Sequence, residues 1–139
     1  MVKKWLSDHG VVVRNLAIYD GSGLSRLDLI TPESAVRLLI AIAKSSSGTA
    51  FRNSLPVAGR DGTLKGRLQT LGGRVSAKTG YLTYTHALSG YITVDGGEEF
   101  AFSVVGIYSE KNGHAGRVLD EIVRRTAQSG QGDAPKAHK

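Results

Sequence analysis

A chain of 139 residues with 40% hydrophobic and 22% charged side chains has the composition of one globular domain, or part of one, and can bury a core. Lys and Arg number 18 against 12 Asp and Glu, a net charge of +6 that suits an anionic partner; yet the cations are scattered and no basic stripe interleaves with aromatics, which argues against nucleic acid. The lack of cysteine excludes disulfides, a thiolate nucleophile and cysteine-held zinc, and the four histidines have no metal-binding spacing, so neither a metal nor another cofactor is expected.

Val2 to His9 reads as a short helix closed by Gly10, with Trp5 and Leu6 as packing residues. Its charges without an apolar core are not a signal peptide, and no apolar run in the chain is long enough to span a bilayer. "VVVRNLAIYD" is then extended and β-branched, and "DGSGLSR" is a loop whose Asp20, Ser22 and Ser25 can hold turn backbone. Thr31-Pro32-Glu33 starts a helix, with Thr31 as N-cap and Pro32 at the first position. The helix "SAVRLLIAIAK" is apolar around most of its circumference, which predicts burial on more than one side, and "SSSG" ends it.

A short helix near Phe51–Ser54 follows, then a loop through Pro56 and Gly59 and a helical turn near Thr63–Leu68. Three strands are predicted, Arg74–Thr79, His86–Val94 and Glu99–Ile107, the last two joined by the hairpin signal "DGGE". Val118, Leu119, Ile122 and Val123 share one face of a final helix, and the tail from Ser129 is predicted to be disordered.

Lys78 interrupts the first strand. Lys78-Thr79-Gly80 is one of the signatures of the serine penicillin-recognising enzymes, and its surroundings are more specific than the tripeptide. "DGSGLSR", "TP" opening an apolar helix, "SLPVAGRDGTLKGR" and "AKTGYLTYTHALSGYI" occur in this order. Together, from about Leu6 to Tyr108, they resemble the D-alanyl-D-alanine carboxypeptidase/endopeptidase family of the DacB type (class C penicillin-binding proteins, serine peptidase S13). The resemblance implies an α+β fold: part of a penicillin-binding transpeptidase or β-lactamase-like domain, with an antiparallel sheet of about three strands packed by helices. That portion would fill residues 1–128, ahead of a tail at 129–139.

It also implies a chemistry. A peptide ending in D-Ala-D-Ala would lie antiparallel along the outer edge of the Lys-Thr-Gly strand. Lys78 would supply positive charge around the nucleophile and the peptide's carboxylate. Thr79 would bind that carboxylate through its hydroxyl, and Gly80 would leave room for the peptide. The Tyr81 N–H would be one oxyanion donor, typically worth ~3 kcal/mol in the transition state. Ser22, Arg26 and Thr83 would contact the side chain of the peptidoglycan stem peptide. Two departures stand out: Tyr81 replaces a small residue, which puts a ring where it narrows or gates the cleft, and "TYTH" at 83–86 replaces a smaller, glycine-containing turn.

Acyl transfer in this family needs Ser-x-x-Lys, one helical turn apart. No serine or threonine here has a lysine three residues on, and Ser-x-Asn is absent as well. The expectation is that the chain is the C-terminal part of a longer serine carboxypeptidase and is inactive alone. The parent would act outside the cytoplasm, in the periplasm or beyond, with peptidoglycan stem peptides and β-lactams as partners and no nucleic acid. Glu99–Ile107 would present a bare edge through which copies self-associate.

Plainer readings stand beside these. Lys78 suits an edge strand that must not aggregate, Ser22 suits a structural loop, and Arg26 can pair with Asp28 or Glu33 for ~0–1 kcal/mol. His86 reads as a turn histidine, and "GRDGTLKGR" lacks the phosphate-loop pattern. The alternative function is a non-catalytic basic module that binds an anionic cell-wall polymer or nucleic acid.

Overall fold

The computed structural model describes residues 2–11, 14, 16–107 and 115–129. An antiparallel meander of β1 (Val75–Leu82), β2 (Thr85–Thr93) and β3 (Glu99–Ile107), in the order β1-β2-β3, forms its centre. Around it lie α1 (Val2–Asp8), α2 (Pro32–Ala43), α3 (Gly48–Asn53) and α4 (Ala115–Gln128), with short 3₁₀ turns at Gly62–Leu64 and Gln69–Leu71. The architecture is the predicted α+β one.

Side chains alternate across a strand, so the sheet has two faces. On the first, Val75, Ala77, Leu88 and Ile92 pack with Leu64, Leu71, Leu119, Val123 and Ala127 into the main core. The buried stripe of α4 is Ala115, Leu119, Val123 and Ala127, spaced by four. Val118 and Ile122, expected on that stripe, are 46% and 44% exposed at its margin, because a spacing of four already meets the sheet squarely. Two arginines fasten the helix. Arg67 donates to both Asp120 oxygens at 3.1 and 2.7 Å; Arg74 bonds the Thr93 and Ala127 carbonyls at 3.0 and 3.2 Å and pairs with Asp95 at 2.7 Å.

The second face meets α2. Thr31 caps this helix, its hydroxyl accepting the Ser34 N–H at 3.1 Å. As its apolar circumference predicts, α2 serves two clusters: Leu38 packs on Leu6, Val11 and Leu16, while Leu39 packs with Leu55 and Tyr91. The Tyr91 hydroxyl donates to the Leu39 carbonyl at 2.8 Å, and Arg52 lies over the ring at 4.7 Å while pairing with Glu99. Burial pushes the Tyr91 phenol up, against the opposing charge of Arg52.

Several boundaries differ from the predicted ones. β1 runs on through Leu82 rather than stopping at Thr79, because Leu82 pairs with Thr85 across a tight Thr83-Tyr84 turn. Tyr84 takes φ 66° there, a left-handed conformation that glycine adopts more easily. The third helix begins at Gly48, earlier than predicted, and a Cβ at Gly48 would stand 2.7 Å from the Ala43 carbonyl. The predicted turn at 63–68 is a 3₁₀ turn only at its start, Gly62–Leu64, and a second 3₁₀ turn follows beyond it at Gln69–Leu71. In the predicted extended stretch, Ala17 forms a single bridge to Leu29, while Val12, Val13 and Asn15 lie outside the described residues, as do 130–139 of the predicted tail.

Candidate functional site

β1 is an outer strand whose far edge is covered over only part of its length. The Ala58 N–H donates to the Val75 carbonyl, and the Ala77 N–H to the Pro56 carbonyl, both at 2.9 Å. Past Ala77 no described segment pairs with this edge. Backbone groups alternate along a strand, so the outward parity of Val75 and Ala77 continues to Thr79 and Tyr81. Their N–H and C=O groups face the open margin.

Alternation also sends neighbouring side chains to opposite faces. Lys78 and Gly80 share the α2 face, in a cross-strand row with Ser89 and Ser103, whose hydroxyls are 2.8 Å apart. Lys78 is exposed, pairs with no carboxylate among the described residues, and folds its ammonium onto the Thr79 carbonyl at 2.5 Å. Thr79 lies on the core face, where its hydroxyl donates to Thr63 Oγ1 at 3.0 Å. Tyr81 follows on that face, 71% exposed, its ring edge-on to His86 at 4.7 Å. A Cβ at Gly80 would come within 3.3 Å of the Ala87 methyl, so this glycine serves sheet packing.

A hairpin-like loop comes over the α2 face of the sheet. Ala17 and Leu29 exchange two backbone bonds of 2.9 Å at its base, and Asp28 accepts the Tyr19 N–H at 2.6 Å. At its tip Asp20 accepts the N–H groups of Ser22 and Gly23 at 2.9 and 3.1 Å and the Ser22 hydroxyl at 3.1 Å. Desolvation pushes the Asp20 carboxyl up, but these bonds together outweigh it and hold the group below its ordinary value.

Between this loop and the sheet lies a cleft of about 630 Å³. It brings Gly80, Tyr81 and Thr83 together with Arg26, against Leu29, Ile30, Leu82 and Ile107. Lys78, Thr79 and Ser22 are not in its lining. Ser22 spends its hydroxyl on Asp20 and accepts the Leu24 N–H at 3.1 Å. Arg26 makes neither of the surface pairs open to it from sequence: Glu33 pairs with Arg37, Asp28 holds backbone, and Arg26 has no ion pair among the described residues. Thr63 and the Ser89–Ser103 pair were not singled out from sequence, and only the register of the strands and the path of the 3₁₀ turn reveal them. Among the described residues no group of three His, Asp or Glu side chains can hold a metal ion.

A meander flanked by helices on both faces, with Lys-Thr-Gly on its outer strand and a cleft beside it, defines the penicillin-binding and β-lactamase-like class. Known proteins agree. The chain matches the D-Ala-D-Ala carboxypeptidase 3 (S13) family over residues 1–129. It is 38% identical over 146 residues to a D-alanyl-D-alanine carboxypeptidase of an Actinomadura species, covering 97% of this chain and 26% of that protein. Penicillin binding protein 4 (dacB) from Haemophilus influenzae superposes with a TM-score of 0.79 at 32% identity, over 91% of this chain and 31% of that one. The TLA-1 extended-spectrum β-lactamase shares the fold, with a TM-score of 0.70 at 24% identity over 91% of this chain and 52% of that one. The chain belongs to the S13 D-Ala-D-Ala carboxypeptidase family and spans about a quarter of its Actinomadura relative.

Proposed function

We propose that this chain is the Lys-Thr-Gly portion of a serine D-Ala-D-Ala carboxypeptidase or endopeptidase that acts on peptidoglycan stem peptides outside the cytoplasm. The observation that carries this reading is the open stretch of β1, where the backbone of Thr79 and Tyr81 faces outward beside an ammonium that no carboxylate among the described residues neutralises. A substrate peptide adds itself there as a further strand. Lys78 swings from the Thr79 carbonyl toward the arriving anion and the nucleophile. Thr79 gives its hydroxyl to the carboxylate, Gly80 keeps the approach clear, and the Tyr81 N–H stabilises the oxyanion. Arg26, with Thr83 at the same cleft, meets the stem-peptide side chain, and Ser22 supports them through the Asp20 turn.

The nucleophile and its base are not in this sequence. Acylation, by substrate or by β-lactam, therefore requires a segment bearing Ser-x-x-Lys on the α2 side, the face Lys78 shares. Two findings support a β-lactam as ligand: the family itself, and the superposition of this chain on Haemophilus influenzae penicillin binding protein 4, which was also solved complexed with a β-lactam.

A fluorescent penicillin tests the reading. This chain alone is expected to take no covalent label. Fused behind the part of the Actinomadura relative that precedes the matched region, it is expected to be labelled, and Lys78→Met in that fusion to remove most of the label. Labelling of the chain alone, or a fusion indifferent to Lys78→Met, contradicts the proposal.

A further inference from the structure

The open edge of β1 has a built end. Pro56 and Ala58 occupy it opposite Ala77 and Val75, and the chain then turns back, with Asp61 accepting the Val57 N–H at 2.7 Å. Leu64, fully buried in the main core, pins the 3₁₀ turn that follows. The turn delivers the Thr63 hydroxyl to 3.0 Å from that of Thr79. A strand laid antiparallel on Thr79 and Tyr81 points its C-terminus toward this stop and has no edge left beyond it.

We propose that Thr63 is a specificity-determining residue: with Thr79 it forms a two-hydroxyl relay that receives the terminal carboxylate of a peptide whose chain ends at this stop. The inference rests on the reading of the β1 edge given above. In the free protein Thr79 donates its one proton to Thr63. A carboxylate can only accept, so Thr79 must turn that proton to the ligand. Thr63 then reverses its role, donating to the Thr79 oxygen while Thr79 donates to the carboxylate. The exchange is a rotation of two hydroxyls; no covalent bond is made or broken. The bond between the threonines is kept, and each donor in such a chain polarises the next. A peptide capped as an amide offers Thr79 only a neutral and weaker acceptor, and one extended beyond the stop cannot bring a terminal carboxylate to it.

The test is a titration of the isotopically labelled chain, read from amide shifts, with acetyl-Lys-D-Ala-D-Ala, with its C-terminal carboxamide, and with the same peptide extended by glycine. The free carboxylate is expected to be preferred over either of the others by about tenfold. Thr63→Val keeps the shape without the proton and is expected to cut that preference to about twofold, with little change in carboxamide affinity. Thr63→Ser is expected to restore the preference, which a purely structural role does not explain. Should valine disturb the turn, Thr63→Ala, monitored by amide dispersion, makes the same comparison. Full preference in a folded Thr63→Val or Thr63→Ala protein overturns the relay and leaves the edge reading standing. A wild-type chain that shows no preference, or no shifts at Thr79 and Tyr81, overturns both.

Discussion

The two faces of the sheet are finished to different degrees. On the α4 side, Val75, Ala77, Leu88 and Ile92 are sealed under Leu119, Val123 and the 3₁₀ turns, and Arg67 and Arg74 close the margins. On the α2 side, burial is confined to the patch around Tyr91 and Leu39. The rest of that face presents Lys78, the Ser89–Ser103 pair and an open cleft, with Ile107 80% exposed. One strand thus serves two purposes, since Val75 and Ala77 at its start hold the domain together while the stretch from Lys78 to Tyr81 stays open along its edge.

Breaking the finished face gives the largest effect. Leu119→Ala removes a fully buried side chain and is expected to cost about 2–5 kcal/mol in urea unfolding. Ile107→Thr on the open face is expected to stay within about 0.5 kcal/mol, so similar losses at the two positions erase the contrast. The open side also predicts association. The outer edge of β3 is unpaired among the described residues, with Phe100, Val105 and Ile107 exposed beside it. We expect light scattering to show concentration-dependent self-association, reduced by Val105→Lys, because a charge at a strand edge opposes pairing. A concentration-independent monomer counts against it.

Smaller effects sharpen the contrast at its margins. Tyr84→Gly relieves a left-handed residue in the β1–β2 turn and is expected to stabilise the chain by up to about 1 kcal/mol; unchanged or lower stability means the ring packs well enough to offset its backbone. In the loop over the cleft, the lowered carboxyl of Asp20 contributes order that is fully present above its ordinary value of 3.8 and is lost as pH falls through its lower folded value. The Ser22 and Gly23 amide shifts are accordingly expected to titrate with a midpoint below 3.8. A midpoint at or above that value contradicts the tied-down loop.

Much of this was legible in the sequence, for local reasons. Thr31-Pro32 announces its helix through capping, "DGGE" its hairpin through Gly96 and Gly97, both at positive φ, and Lys78-Thr79-Gly80 its strand through a family pattern. What escaped depended on long-range pairing. The extension of β1 to Leu82 is set by its register with β2, and the burial of Leu119 rather than Val118 by where α4 meets the sheet. The proximity of Thr63 to Thr79 needs the whole path from Pro56 to Leu64. The placing of Lys78 and Thr79 on opposite faces follows from alternation alone, once the segment is known to be a strand.

Amide hydrogen exchange along β1 tests the central claim most directly. The Thr79 and Tyr81 amides are expected to exchange fast in the free chain, between slow Lys78 and Gly80, and to become protected when acetyl-Lys-D-Ala-D-Ala is added. Thr79 and Tyr81 amides that are already slow without peptide, or still fast at saturation, would contradict it.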